Sequence, residues 1–302
     1  MNILITGANG FVGTAFLQYI KDNNLFAVDS IILLTSKAMP GYKYILHKDY
    51  TFSKNDFYEK NVDNIDIVFH FGSAVPKTRQ EFGVEYTEKF ASNLLNTAHL
   101  IENLPSVPKK VIFISSVSVY KDENKINEDT EIQVADMYGA SKLMCEAYLQ
   151  KKSRELGFVL QILRLGQIYG EGEETYSKIV SFFIKQAIKN EPITIFGTGN
   201  EKRSMLYVKD CSKAIFEASE FPKSIGPVNI AAQNSVTVKE LIEIIYRICK
   251  KQPNIKQDTN KISQDVIYDV AKMKKYFKVT ETPYEEGIKN YYNYYINRYG
   301  EN

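Results

Sequence analysis

Short apolar runs rich in β-branched residues alternate with longer stretches of helical period through the first half of the chain, the rhythm of βαβ units and a parallel sheet. Ile3 to Thr6, Ile31 to Thr35, Ile65 to Phe71, Val111 to Ser115 and Leu160 to Leu165 read as sheet strands, with a shorter one near Tyr44 to His47. Val12 to Asp22, Glu85 to Asn103 and Tyr138 to Leu156 carry apolar positions at helical spacing between them. After Arg164 the alternation weakens, and glycines cluster at Gly170-Glu171-Gly172 and Gly197-Thr198-Gly199.

The pattern predicts an α/β protein in two lobes. A Rossmann-like doubly wound parallel sheet is expected over 1–167, rejoined by 206–231 through a Val208 to Phe221 helix and a Val228 to Ala231 strand. A smaller, discontinuous α/β substrate lobe then comprises 168–205 and 232–302. The tyrosine-rich tail, with Tyr291, Tyr292, Tyr294, Tyr295 and Tyr299 partly at i, i+3, i+4 spacing, reads as a half-buried terminal helix rather than a recognition surface.

Composition narrows the function classes. With 302 residues and 44% hydrophobic content the chain can bury a substantial core. The 38 Lys+Arg and 36 Asp+Glu leave a formal charge of +2, which argues against a basic nucleic-acid binder, so any functional charge must be local. Cys145, Cys211 and Cys249 are widely spaced, and His47, His70 and His99 form no H-x-x-x-H pair. Neither a disulfide framework nor a metal site is expected. No stretch approaches the roughly 20 apolar residues that span a bilayer, and the sequence opens directly into a strand. A cytoplasmic protein without membrane or nucleic-acid partners is the expectation.

Between the first strand and the first helix stands Gly7-x-x-Gly10-x-x-Gly13. Three glycines alone can end a strand. At a strand-to-helix turn, however, they allow close backbone approach to a diphosphate, which the helix N-terminus then holds with unpaired N–H groups. The spacing resembles the glycine turn of the extended short-chain dehydrogenases/reductases. Two further segments are similar to that family: Phe69-His70-Phe71-Gly72-Ser73-Ala74, like the strand and loop beside the nicotinamide, and Arg164 to Gly170, like its R-x-x-N-x-Y-G segment. The resemblance implies cofactor contacts from Gly7, Gly10, Phe11, Val12, Gly13, Gly72, Ser73 and Ala74. An acid after the second strand would favour NAD, but Thr35-Ser36-Lys37 stands there instead. Its hydroxyls and cation suit a 2′-phosphate, so NADP is favoured over NAD, with Ser36 and Lys37 as contacts. By the same resemblance Asp49 is an adenine-side contact.

Y-x-x-x-K places a phenol and an ammonium on one helical face, but matches begin at Tyr44, Tyr50, Tyr138, Tyr148, Tyr246 and Tyr268. Context selects Tyr138 and Lys142, which open a long helix after the Ser115-Ser116 strand end. This is similar to the family's Ser-Tyr-Lys arrangement, and Ser116-x-x-Val119-Tyr120 resembles its S/T-x-x-V-Y segment. The resemblance implies that Tyr138 exchanges a proton with a sugar oxygen, Ser116 hydrogen-bonds that oxygen, and Lys142 binds the nicotinamide ribose and lowers the Tyr138 pKa.

Phe196-Gly197-Thr198-Gly199, Arg203 and Tyr207-Val208-Lys209-Asp210 resemble the substrate lobe of nucleotide-sugar enzymes. Arg203 is expected to grip a substrate diphosphate, with Arg79 and Gln167 as weaker candidates; Gln167 replaces the family's Asn. The family's dehydratases carry Asp-Glu after the catalytic Ser/Thr, where this chain has Val117-Ser118, so dehydration is disfavoured. The leading expectation is an NADP-dependent reductase of a nucleotide-linked 4-keto-6-deoxysugar. A nucleotide-sugar 4-epimerase retaining NAD follows, then a noncatalytic dinucleotide sensor. The helices at Glu85 to Asn103 and Tyr138 to Leu156 suggest, by family resemblance, a homodimer interface.

Overall fold

The computed structural model describes residues 1–300 except 79, 122, 124, 177 and 261–263. Seven strands form the central sheet: β1 (Ile3–Thr6), β2 (Ile31–Thr35), β3 (Lys43–Leu46), β4 (Ile67–His70), β5 (Lys110–Ser116), β6 (Val159–Leu165) and β7 (Val228–Ile230). Their order is β7-β6-β5-β4-β1-β2-β3, and every neighbouring pair is parallel. The chain winds outward from β1 to β3, then crosses back to β4 on the other side of β1. That reversal opens a crevice at the strand ends, where doubly wound sheets take their ligands.

The sequence of each strand explains its place. β1 and β2 are buried at every position, as strands covered on both faces must be, whereas only Ile45 is buried in the edge strand β3. Alternate residues enter different cores: Ile3, Ile5, Leu33 and Phe69 join one apolar cluster, Leu4, Ile32, Leu34 and Val68 the other. The first face is covered by α1 (Phe11–Asp22) and α5 (Val208–Glu220), the second by α2 (Thr87–Glu102) and α3 (Met137–Leu156).

The expected strand from Ile65 to Phe71 shortens to four residues. Asp66 stands just before the strand, its backbone bonded to Asn2, Lys109 and Lys110 and its carboxylate accepting from the Asn2 N–H at 2.8 Å and pairing with Lys109, and the chain turns away beyond Phe71. The helix expected from Glu85 begins at Thr87, after a tight turn at Val84–Tyr86.

Beyond β6, α4 (Ile179–Ile188), α6 (Val238–Cys249) and α7 (Tyr284–Tyr299) pack in sequence. They lie beside short strand pairs: Gln167–Tyr169 with Met205–Tyr207, Ile193–Phe196 with Ile255–Asp258, and Lys202–Arg203 with Val236–Thr237. Thr237 and Glu240 cap α6 reciprocally. In α7, Tyr291 is wholly buried, Tyr292, Tyr294 and Tyr295 are partly so, and Tyr299 is exposed. All three cysteines are buried. Among the described residues no helix is long and apolar enough to cross a membrane, and no cluster of ligating side chains suits a metal.

Candidate active site

Gly7 leaves β1 at φ +68°, and a Cβ there would lie 2.6 Å from the Gly72 nitrogen. A Cβ on Gly13 would lie 2.2 Å from the Gly7 carbonyl oxygen, so α1 can start this close to β1 only with glycine at both positions. The Gly10 N–H closes the turn on the Gly7 carbonyl at 2.9 Å. No side chain caps α1, and no acid lies in its first turn. Phe11 and the half-buried Val12 therefore open a helix whose N-terminal N–H groups face a cradle without a Cβ, a fit to a diphosphate.

Gly72, Ser73 and Ala74 form the opposite wall. The Gly72 N–H donates to Thr6 Oγ1 at 2.9 Å, and Thr6 Oγ1 lies 2.8 Å from His70 Nδ1. His70 Nε2 meets Thr97 Oγ1 at 3.0 Å, and Thr97 donates to the Asn93 carbonyl at 2.8 Å. Burial, with Lys142 adding repulsion, holds the His70 pKa down at about 3, so the ring is neutral. The Thr6 hydroxyl, already accepting from Gly72, donates to Nδ1, which leaves the proton on Nε2. The Asn93 side chain accepts from the Ala74 N–H at 2.7 Å and donates to the Ala74 carbonyl and Ser141 Oγ at 3.0 Å each. Ser141 in turn donates to the Tyr138 carbonyl at 2.8 Å. An unbroken hydrogen-bond path thus joins the glycine turn to the helix carrying Tyr138.

On the adenosine side, Thr35 is turned inward: its hydroxyl accepts from Asn9 Nδ2 and donates to the Lys37 carbonyl at 3.0 Å. Only Ser36 and Lys37 of that segment are exposed. Asp49 is exposed on the turn after β3, with φ +50°. Arg79 lies outside the described residues.

At the end of β5 the two serines part. Ser115 is buried against α3 and donates to Glu146 at 2.5 Å; Arg164 of β6 forks onto the same carboxylate at 2.9 and 2.6 Å. Ser116 faces the cavity, donating to Ser118 Oγ at 3.0 Å. Tyr138 sits in the first turn of α3, whose N-cap Asp136 accepts from the Gly139 N–H at 2.8 Å. Burial drives the Tyr138 pKa above its ordinary value, and the neighbouring Ser116 hydroxyl partly offsets the rise. The start of α3 lies against the serine turn, where a Cβ on Gly139 would come within 2.2 Å of the Ser118 carbonyl oxygen.

Lys142, four residues on, is 2% exposed. Its Nζ donates to the Ile114 carbonyl at 2.8 Å and lies over the Phe113 and Tyr138 rings at 5.1 and 5.9 Å. Burial lowers its pKa to about 8, against the pull of Cys145 and Glu146. Ser116, rather than Lys142, is the neighbour that offsets the rise in the Tyr138 pKa.

A cavity of about 990 Å³ opens in front of Ser116, Ser118, Gln167, Lys178 and Arg203. Gln167 Oε1 is buried and, among the described residues, has no hydrogen-bond partner. Arg203 donates to the Lys202 and Gln264 carbonyls at 2.9 and 2.5 Å. Sequence reading missed Asn93, Glu146, Tyr176 and Lys178; a buried histidine in Phe69-His70-Phe71-Gly72 was the one visible sign of the path through Asn93.

The doubly wound sheet, glycine turn and Ser-Tyr-Lys constellation define a dinucleotide-dependent enzyme of the extended short-chain dehydrogenase/reductase type. The chain belongs to the NAD dependent epimerase/dehydratase family, whose profile matches residues 3–231. It is similar to an uncharacterized UDP-glucose epimerase of Bacillus subtilis (strain 168), 28% identical over 268 residues that cover 84% of each chain. It is also similar to the dTDP-4-dehydro-6-deoxyglucose reductase of Escherichia coli, 27% identical over 290 residues covering 90% of this chain and 91% of the relative. Its fold matches the UDP-glucuronic acid 4-epimerase of Bacillus cereus solved with NAD, with a TM-score of 0.84 at 20% identity over 100% of this chain and 99% of that one.

Proposed function

We propose that this enzyme is an NAD-dependent nucleotide-sugar 4-epimerase. The observation that carries the reading is the cavity of about 990 Å³ in front of Ser116 and Gln167, at the turn against which the Tyr138–Lys142 helix begins, in a chain similar to a UDP-glucose epimerase. Bound NAD supplies the hydride acceptor and a positive charge. Gly7, Gly10, Phe11, Val12 and Gly13 hold its diphosphate, Gly72, Ser73 and Ala74 wall its nicotinamide end, and Ser36, Lys37 and Asp49 lie toward its adenosine.

Tyr138 takes and returns the proton of the sugar 4-oxygen, and Ser116 hydrogen-bonds that oxygen. The buried ammonium of Lys142 orients the cofactor ribose. Arg203, with Arg79, serves the substrate diphosphate, and the free acceptor Gln167 Oε1 takes a sugar hydroxyl. The division into a 1–167 plus 206–231 cofactor lobe and a 168–205 plus 232–302 substrate lobe is supported by the return of α5 and β7 to the sheet. A homodimer through α2 and α3 is supported by Leu95 and Met144, 68% and 39% exposed on these adjoining helices. A nucleotide-sugar substrate fits a cytoplasmic location.

The second reading is an NADP-dependent 4-keto-6-deoxysugar reductase. It is favoured by the exposed Lys37 after β2 and by likeness to the Escherichia coli reductase. Incubation with UDP-sugars and with nucleotide-linked 4-keto sugars, each with NAD(H) or NADP(H), separates the two. Cofactor-neutral interconversion of C4 isomers is expected. Stoichiometric NADPH consumption with a keto sugar would establish the reductase instead, and dinucleotide binding without turnover on either panel would leave a sensor.

A further inference from the structure

Between the end of Gln167–Tyr169 and α4, the described residues from Gly170 to Lys178 include three that lie against the first residue of α1. The segment is fastened at several points. Tyr207 donates to Glu171 at 2.6 Å, and the wholly buried Glu173 accepts from the Ser181 N–H at 3.0 Å, at the N-terminus of α4. Lys185 Nζ donates to the Glu174 carbonyl at 2.9 Å. These bonds hold the described residues of the segment in place.

Three of its residues meet Phe11. A Cβ on Gly172 would lie 3.4 Å from the Phe11 ring, the Tyr176 and Phe11 rings are 6.3 Å apart, and Lys178 Nζ lies 4.5 Å from the Phe11 ring centre. The Phe11 backbone N–H opposes the rise that burial causes in the Tyr176 pKa. That N–H belongs to the first turn of α1, among the groups a diphosphate would take.

Lys178 is short of charge partners. Its ammonium has three donors; one goes to the Ile168 carbonyl at 2.8 Å, and the Phe11 and Tyr176 rings lie at 4.5 and 5.8 Å. Among the described residues no carboxylate comes within 4 Å of it. Burial lowers its pKa, and Glu173, further off, only partly offsets this. A cation drawn out of water without an adjacent anion is costly unless an anion arrives to pair with it.

We propose that Lys178, carried by this segment, is the counter-charge that holds the diphosphate of the dinucleotide at the glycine turn. This rests on the dinucleotide-dependent reading above. A nucleotide-sugar substrate carries the same diphosphate chemistry, and Lys178 also borders the substrate cavity. Its seat on Phe11 assigns it to the dinucleotide.

The test measures the affinity of the full-length protein for NADH by nicotinamide fluorescence at low and high salt, and for UDP by calorimetry. Lys178→Gln is expected to weaken NADH roughly 10- to 100-fold and to flatten its salt dependence, with UDP affinity unchanged within about twofold. Lys178→Arg, which keeps the charge, is expected to stay within about threefold of the parent for NADH. Parent-like NADH binding by Lys178→Gln overturns the proposal, as does loss of UDP rather than NADH. If Lys178→Gln does not fold, NADH affinity of the parent that is indifferent to salt, or Lys178→Arg equal to the parent at low salt but not displaced by added pyrophosphate, overturns it. An unmodified protein that binds UDP but no dinucleotide sinks the cofactor reading itself, and the proposal with it.

Discussion

Replacing Lys142 by methionine is expected to stabilise the fold while removing turnover. The ammonium is 2% exposed, with the Ile114 carbonyl and two aromatic faces as its near neighbours. Its pKa falls from the ordinary 10.5 to about 8, chiefly through desolvation. A depression of that size corresponds to about 3 kcal/mol of folding free energy. The sign follows from proton binding. Below pH 8 folded and unfolded chains both hold the proton, so the folded state carries the whole penalty. Between pH 8 and 10.5 only the unfolded chain holds it, stability rises with pH, and beyond 10.5 the penalty has gone.

Methionine fills similar volume without charge but forfeits the hydrogen bond to Ile114, a loss of about 1 kcal/mol. The net gain expected at pH 7 is about 1 to 2 kcal/mol, read as a higher urea midpoint at unchanged slope. Repeating the urea series near pH 10 should show the advantage shrinking. A variant no more stable than the parent at pH 7, or one whose advantage persists undiminished at pH 10, refutes the reasoning.

Three further outcomes are expected. Tyr138→Phe should keep dinucleotide affinity while lowering kcat about 10²- to 10⁴-fold in a coupled isomer assay; near-normal turnover would remove Tyr138 from proton transfer. Gly139→Ala would place a Cβ 2.2 Å from the Ser118 carbonyl oxygen, pushing α3 off the Ser116 turn, so kcat should fall at least about tenfold with NADH affinity little changed. Glu146→Gln strands Arg164 in a site where both side chains are almost fully buried, and denaturant unfolding should show a loss of about 3 kcal/mol or more; a loss below ~1 kcal/mol would mean that water reaches the arginine.

The central sheet was legible because its strands carry local signals: apolar runs such as Ile31 to Thr35 that can only be buried. The glycine turn was legible because its spacing encodes a backbone geometry, and Tyr138-Lys142 because the pair shares a helix. What stayed hidden depends on pairings between distant positions. Asn93 joins the Gly72 loop to α3 across 19 and 48 residues, and nothing beside it in sequence marks it. Lys178 reads as one more lysine in a loop until the fold sets it over Phe11. Thr35 failed in the other direction. Its hydroxyl reads as available for a phosphate, but Asn9, 26 residues earlier, has already engaged it.

The split between Ser115 and Ser116 makes strand alignment a chemical variable. Side chains alternate faces along β5, so the hydroxyl that braces the buried Glu146–Arg164 pair and the hydroxyl that faces the cavity are separated by a single step of the chain. Sliding β5 by one residue between β4 and β6 would, in one direction, set Ser115 where Ser116 stands at the cavity and, in the other, set Ser116 against the ion pair. An insertion or deletion anywhere along Lys110 to Ile114 would therefore erase activity without touching a reacting group. The parallel pairing of Ser115 with Arg164 and of Ser116 with Leu165 makes the ladder itself the ruler by which the reacting hydroxyl is placed.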